Sequence, residues 1–328
     1  MNLRRITRIF SMVFAMTLTP IATANASGPY KITLAGGSVG GAWSAIGTAI
    51  GETIKTAYPG SAFTYEPGRE AGNLLLTSTG KVQLGIAHAQ MALRAEKGLE
   101  PFSKPMPNIR AIAMIDPQAA VQILATENSG ILSLAQIKNK KMPVRVSLNQ
   151  KGTLMAITGE AVLQAYGISV QDIEGWGGRV TYGPYNAGLD QIKNGQADLI
   201  INMLAYPSSQ ISNTARDVKF RLIGLDETII KSLNAELGTK SITIPANTYA
   251  FETNPVQTVR GSVIVVASAE MPDKEAGDII RAMLTNFDFL QTAHATLSRL
   301  TPKALTETAP IALHPGALSA YRDAGLLP

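Results

Sequence analysis

Short apolar runs alternate with stretches of helical periodicity along the first third of the chain. Ile32 to Ala35, Ala62 to Glu66 and Val82 to Ala87 read as strands. Between the first two, Trp43, Ile46, Gly47, Ile50 and Ile54 share one face at helical spacing, and the helix ends at Tyr58-Pro59-Gly60. Leu74 to Thr79 stops at Gly80, and Gln90 to Lys97 stops at Gly98, each glycine suited to a left-handed helix cap. Alternation of this kind predicts a parallel sheet covered on both faces.

A second α/β set follows Asp116-Pro117. Val121 to Ala125 and Pro143 to Leu148 read as strands, and Thr153 to Tyr166 as a long helix ending at Gly167. Asn186 to Asn194 is a shorter helix ending at Gly195, with the apolar strand Ala197 to Asn202 behind it and Lys219 to Gly224 as the last strand of the set. Residues 226–257 have weak periodicity and carry no assignment. Val263 to Ala267 then reads as a strand and Lys274 to Leu290 as a long amphipathic helix. The two sets join near residues 116–121 and again between 224 and 262, so the chain crosses twice and its tail returns to the first unit. The expected architecture is two-lobed α/β, with residues 27–116 and 250–328 in one lobe and 117–249 in the other. A cleft between two lobes so connected can close by a hinge.

Three loops sit at the carboxyl ends of predicted strands: Gly36-Gly37-Ser38-Val39-Gly40-Gly41, Pro67-Gly68-Arg69-Glu70-Ala71-Gly72-Asn73, and His88-Ala89-Gln90. In an open parallel sheet such loops gather around one crevice, where helix N-termini offer unpaired N–H groups suited to a small anion. The glycine loop reads either as a backbone anion nest or as a tight turn packing helix on sheet. As a dinucleotide fingerprint it lacks a glycine at the second required position, and no Gly-Lys-Ser/Thr closes it as a P-loop.

Arg69 is the candidate charge partner of this crevice, because its planar fork matches a carboxylate; the competing reading is a salt bridge to Glu66 or Glu70. Lys151, in the second-set loop Asn149-Gln150-Lys151-Gly152-Thr153, is its counterpart. Tyr182, Tyr185, Asn202 and Tyr206 lie near strand ends of the second set and could supply polar contacts or serve as structure. His88 sits at a strand end, facing a ligand or not, whereas His294 and His314 suit surface or turn roles. Glu66, Glu70 and Asp198 could approach one another as an acid/base group, although carboxylates at such positions are more often caps. No His/Glu spacing points to a metal, no Gly-x-Ser-x-Gly elbow occurs, and no cofactor is expected.

Composition narrows the class. Hydrophobic residues make up 45% and charged residues 16% of the 328, which is globular, and the length suits two domains. Arg4, Arg5 and Arg8, followed by the apolar stretch Ile9 to Met16 and the small-x-small site Ala24-Asn25-Ala26, read as a cleaved signal peptide over residues 1–26. The formal charge of +5 then shrinks to about +2, from 26 basic and 24 acidic residues, and basic runs and aromatics are too sparse for a nucleic-acid surface. With no cysteine, disulfides, thiolate metal sites, cysteine nucleophiles and a lipid-anchored leader are excluded. An exported, periplasmic monomer is expected.

The order and spacing of these motifs resemble the TAXI family of solute-binding proteins, which serve TRAP-type secondary transporters. The resemblance covers nearly all of the mature chain: the strand, glycine loop and helix from Lys31 to Gly51, then Gly72-Asn73-Leu74 with Gly80, and Leu84-Gly85-Ile86-Ala87. It continues through Gln164-Ala165-Tyr166-Gly167, Lys193-Asn194-Gly195-Gln196-Ala197-Asp198, Tyr206-Pro207 and Ile244-Pro245-Ala246-Asn247-Thr248-Tyr249. Its most telling part is the tail, Leu313-His314-Pro315-Gly316-Ala317 with Tyr321 and Gly325. The resemblance implies a type II periplasmic-binding-protein fold, with each lobe a mainly parallel sheet flanked by helices. It also implies capture of a glutamate-, glutamine- or 2-oxoglutarate-like acid for a TRAP membrane subunit, with no chemistry of the protein's own. The implied cleft residues are Gly37, Ser38, Val39, Gly40, Gly41, Trp43, Arg69, Gly72, Asn73, His88, Gln90, Gln150, Lys151, Gly152, Thr153, Tyr185, Asn202 and Tyr206.

Three departures from the family pattern bear on the ligand. Ala42-Trp43 replaces a tyrosine pair, His88-Ala89-Gln90 replaces Gln-Ser-Asp, and Gln150-Lys151-Gly152-Thr153 replaces Gly-Ser-Gly-Thr. An acid has gone and a lysine has arrived, which favours an organic acid without an amino group. Two other readings stand beside transport: a sensor module presenting ligand to a membrane receptor, and an enzyme on a similar two-lobed fold.

Overall fold

A computed structural model describes residues 28–37, 39–298 and 300–328. The expected leader, the expected first mature residue Ser27, and Ser38 of the glycine loop lie outside the described residues. Strand and helix alternate from the start: β1 (Lys31–Gly36), α1 (Ala42–Ala57), β2 (Ala62–Pro67), α2 (Glu70–Ser78), β3 (Leu84–His88) and α3 (Ala89–Lys97). A long strand, β4 (Ile109–Thr126), leads into the second set: α4 (Leu134–Lys140), β5 (Arg145–Leu148), α5 (Leu154–Ala165), α6 (Val170–Gly175), β6 (Arg179–Tyr182), α7 (Tyr185–Lys193), β7 (Leu199–Leu204), α8 (Ser209–Thr214) and β8 (Phe220–Ile223). The chain returns through α9 (Glu227–Leu237), β9 (Lys240–Ile244) and a second long strand, β10 (Val256–Ser268), to α10 (Asp273–Thr285), α11 (Phe287–Thr292) and α12 (Pro315–Asp323).

The strands run in the order β2-β1-β3-β10-β4-β7-β5-β6, with β8 paired to β4 and β9 to β10. Each end of this order is parallel, as βαβ units require: β1 pairs with β2 and β3, and β5 with β6 and β7. The middle is antiparallel, because β4 and β10 carry the chain out of the first unit and back. Val263 to Val266 of β10 pair with β3, whereas Ala120 to Ala125 of β4 pair with β7. The two long strands are thus shared between two α/β halves, and this is the two-lobed fold the sequence implied. Helices cover both faces, burying Leu34, Ile50, Ile86, Val265 and Ile279 completely in the larger core. A smaller core packs Ile200, Ile211, Phe220 and Tyr249 beneath the second unit.

Several boundaries differ from the sequence reading for identifiable reasons. Asp116-Pro117 is no break: β4 continues through it because β10 pairs with Ile109 to Ala120 on both sides of it, with a register shift between Gly261 and Val263 absorbing the irregularity. The unassigned stretch 226–257 holds α9, β9 and the first residues of β10. A strand whose residues are alternately exposed carries little apolar signal, and β9 is of this type. The long C-terminal helix is two helices, since Asn286 (φ −110°, ψ 33°) leaves helical geometry between α10 and α11.

The tail is tied to the first unit by His314, which is fully buried rather than on the surface. Its N–H donates to Ala111 O at 2.8 Å, and its ring Nδ1 caps α12 by accepting from Gly316 N at 3.2 Å. Burial pushes the imidazole pKa down, Arg110 adds to this, and Asp273 and Met271 only partly oppose it. A depressed folded-state pKa means that the neutral form stabilises the fold above the unfolded pKa of about 6.5 and that this contribution is lost as pH falls. Urea melts at pH 7.5 and 5.5 should therefore show a loss of stability in acid that shrinks in His314→Asn. An equal loss in both proteins would contradict the assignment.

Candidate functional site

The first three loops are bound to one another by backbone and buried polar contacts. Gly68 N donates to Gly36 O at 2.9 Å, and the Tyr65 hydroxyl donates to Gly37 O at 2.8 Å. Asn73 is fully buried, and its Nδ2 donates both to Gly36 O at 3.2 Å and to Ile86 O at 2.9 Å. The Asn73 Nδ2 is therefore spent on holding the ends of β1 and β3 together, while its buried Oδ1 has no hydrogen-bond partner among the described residues. Gly40 takes φ 81° in the glycine loop and Gly152 takes φ 77° in the facing loop, left-handed conformations that only glycine adopts without strain.

A cavity of about 570 Å³ opens between the two α/β units. From the first it is lined by Trp43 at the start of α1, by Arg69, Glu70 and Ala71 at the start of α2, and by His88 and Met91 around the start of α3. From the second it is lined by Gln150, Lys151, Gly152 and Thr153, with Met155 behind them. Four helix N-termini thus converge on one space, and with them the positive ends of four helix dipoles. The volume is typical of a small-molecule pocket.

Charge in the cavity is mostly cationic. Arg69 makes no ion pair among the described residues, so the alternative of a salt bridge to Glu66 or Glu70 is not realised. Lys151 makes none either; its Nζ lies 4.6 Å from the centroid of the Tyr182 ring, a cation–π contact. The one carboxylate of the cavity, Glu70, is committed inward. Its Oε1 accepts from His88 N at 2.6 Å and lies 2.8 Å from His88 Nδ1. A carboxylate of the protein itself thereby occupies the N-terminal N–H of α3. Trp43 packs on the other side of the imidazole, with ring centroids 5.4 Å apart.

Seven of the residues named from sequence share this cavity: Trp43, Arg69, His88, Gln150, Lys151, Gly152 and Thr153. Thr153 divides its hydroxyl between accepting from Ala156 N, as the cap of α5, and donating to Gln150 O at 2.7 Å. The others lie elsewhere. Gln90 is buried and bridges outward from the cavity, donating to Gly238 O at 3.0 Å and accepting from Ser262 N at 3.4 Å. Tyr185 and Tyr206 pack against the smaller core. Asn202 is buried on β7, where its Oδ1 accepts from Met203 N at 3.0 Å and from Asn149 Nδ2 at 3.4 Å. Gly37, Val39, Gly40, Gly41 and Gly72 are outside the cavity lining, and Val39 is strongly exposed at the loop tip.

The carboxylates do not form an acid/base group. Asp198 is held by a two-pronged contact from Arg145, Nε to Oδ2 at 2.9 Å and Nη2 to Oδ1 at 2.5 Å, while Glu70 serves His88. Among the described residues no group of three or more metal-ligating side chains occurs, and no helix is long and apolar enough to cross a membrane. The residues that sequence reasoning passed over are Glu70, as an orienting partner of His88, and the two methionines. Nothing in the sequence relates Glu70 to a histidine 18 positions on.

Known proteins share this arrangement of a two-lobed sheet with a pocket between its halves. The chain belongs to the NMT1-like family, which it matches over residues 34–325. Among solved structures it is similar to the PhnD1 protein of Prochlorococcus marinus in complex with methylphosphonate, at 12% identity and a TM-score of 0.52, covering 81% of this chain and 88% of that one. It is likewise similar to MatC of Rhodopseudomonas palustris with bound malate, at 11% identity and a TM-score of 0.52, covering 90% and 98%. The periplasmic binding protein BugD matches at 13% identity and a TM-score of 0.51, covering 92% and 99%. These likenesses establish the fold.

Proposed function

We propose that this protein is a periplasmic solute-binding protein of TAXI type that captures a small organic anion and delivers it to the membrane subunit of a TRAP transporter. The observation that carries this reading is the pairing of Arg69 and Lys151 across one 570 Å³ cavity, each without a carboxylate partner among the described residues. Two cations left unneutralised in a cleft lower the energy of a dianion there, and the four helix N-termini add to the same field. A dicarboxylate of the size of 2-oxoglutarate spans such a space, one carboxylate at the guanidinium fork and the other near Lys151. Malate in MatC and methylphosphonate in PhnD1 are small anions held by proteins of the same fold, which supports the ligand class. The loss of the family acid after β3 argues against a ligand ammonium. Native mass spectrometry of protein purified without added ligand tests the reading. A co-purified acid of matching mass is expected, and a neutral sugar or a cation at that place would refute the ligand class.

The cleft closes on its ligand, with residues 117–249 moving as one lobe against 27–116 and 250–328. The two long strands β4 and β10 run from one half into the other, so a rotation can be taken up within them. Small-angle scattering should show a smaller radius of gyration with saturating ligand than without. An unchanged radius, with an open free form, would exclude closure.

A further inference from the structure

We infer that His88, oriented by Glu70, is a proton-operated anion contact, so that capture tightens as pH falls through the neutral range. This rests on the anion reading of the cleft and adds the regulation of that site. Glu70 Oε1 accepts from the backbone N–H of His88 at 2.6 Å and faces its ring Nδ1 at 2.8 Å. An ionised carboxylate is only an acceptor, so Nδ1 carries a hydrogen in either charge state of the ring. All the variation therefore falls on Nε2, which has no hydrogen-bond partner among the described residues on a ring that lines the cavity.

In the neutral ring Nε2 is a bare lone pair, and a carboxylate brought to it meets acceptor against acceptor. In the imidazolium it is an N–H donor carrying positive charge, and the same carboxylate gains a charge-assisted hydrogen bond. One proton thus converts a repelling contact into a binding one at the wall of the cleft.

The charged groups around the ring favour its protonated form. Glu70 of α2 and Asp116 of β4 raise the imidazole pKa, and together they outweigh the burial that lowers it, so it lies above the usual value. Arg69, beside Glu70, and Lys151, from the facing unit, line the same cavity. Trp43 of α1 contributes a ring and no charge, and Val263 of β10 pairs with His88 through backbone. Linkage then sets the size of the effect. Above the His88 pKa of the free protein, each pH unit should weaken binding by up to about tenfold, until the pKa of the complex is passed.

Calorimetry with 2-oxoglutarate from pH 5.5 to 8.5 tests this, since both its carboxyls are ionised throughout, at pKa values below roughly 4.5. The dissociation constant should rise at least tenfold between pH 6 and 8.5. His88→Gln, which keeps a donor but cannot titrate, should flatten the profile, and Glu70→Gln should move the rise to lower pH. Thermal melts check that both variants fold. Independently of any variant, ring resonances of the three histidines can be followed by NMR, and the His88 pKa should be higher with ligand than without. Binding with no pH dependence, an unaltered profile in His88→Gln, or a His88 pKa unmoved by ligand would each overturn this inference and leave the anion reading standing. No binding of 2-oxoglutarate, succinate or malate at any pH would overturn both.

Discussion

Arg69→Ala and Lys151→Ala should each weaken capture of a dicarboxylate by roughly thirtyfold or more, with little effect on folding. Closure of the cleft removes water from both cations, and truncating one partner of a desolvated, hydrogen-bonded charge pair costs on the order of 2–5 kcal/mol. Stability should change little, because neither side chain has an ion-pair partner among the described residues, and both are exposed in the free cleft. The two effects should differ in character. Arg69 offers a planar fork at the start of α2, so Arg69→Lys should recover only part of the affinity. Lys151 leaves the Tyr182 ring on binding, which offsets some of its gain, so its loss should be the smaller of the two. Calorimetry on both variants, with melts as the folding control, decides the matter. Unchanged affinity in both would assign recognition to the helix N-termini and the neutral side chains instead.

Asn73→Ala should be the more damaging change to the fold, and through the fold to the site. Its Nδ2 bridges Gly36 O and Ile86 O at 3.2 and 2.9 Å. Truncation takes a donor from Ile86 O and one of two donors from Gly36 O, which keeps Gly68 N–H, and opens a void. Each unsatisfied buried group costs about 1–3 kcal/mol. A total loss of about 2–4 kcal/mol is expected, or a fall in Tm on the order of 5–10 °C. Asn73→Leu fills the volume without the donor, so it should recover only the packing part. A Tm change under about 2 °C in Asn73→Ala would mean that the strand ends are held by the backbone alone. Ligand affinity should fall along with stability, since Gly36 and Ile86 lead into the loops that carry Trp43 and His88 to the cavity.

Much of the fold is legible in the chain because its signals are local. Gly98, Gly167 and Gly195 each end a helix in the left-handed conformation, at φ 64°, 69° and 65°, and that preference belongs to a single residue without a side chain. The strands β1 and β3 announce themselves as apolar runs because both faces are covered, from Leu34 to Ala35 and from Leu84 to Ala87. The elements that escape notice are those whose conformation is imposed from outside. Pro117 reads as a break, yet β4 runs through it because β10 pairs with the strand on both sides, from Ile109 to Ala120. The short α4, α6 and β6 have too few residues for a period to declare itself.

The candidate site divides along the same line. By itself the sequence led to loops at the ends of parallel strands that meet at one crevice, with Arg69 and Lys151 as its candidate cations from opposite units. Those conclusions follow from chain direction and residue type, which every arrangement of the helices must respect. Only the tertiary structure decided which polar side chains remain free for a ligand. The Nδ2 of Asn73 and the Nε2 of Gln90 are consumed by carbonyl groups of the scaffold, and Glu70 turns from Arg69 to His88. Hydrogen-bond partners are chosen by distances of about 3 Å between groups far apart in sequence, and no local pattern of residues records such a distance.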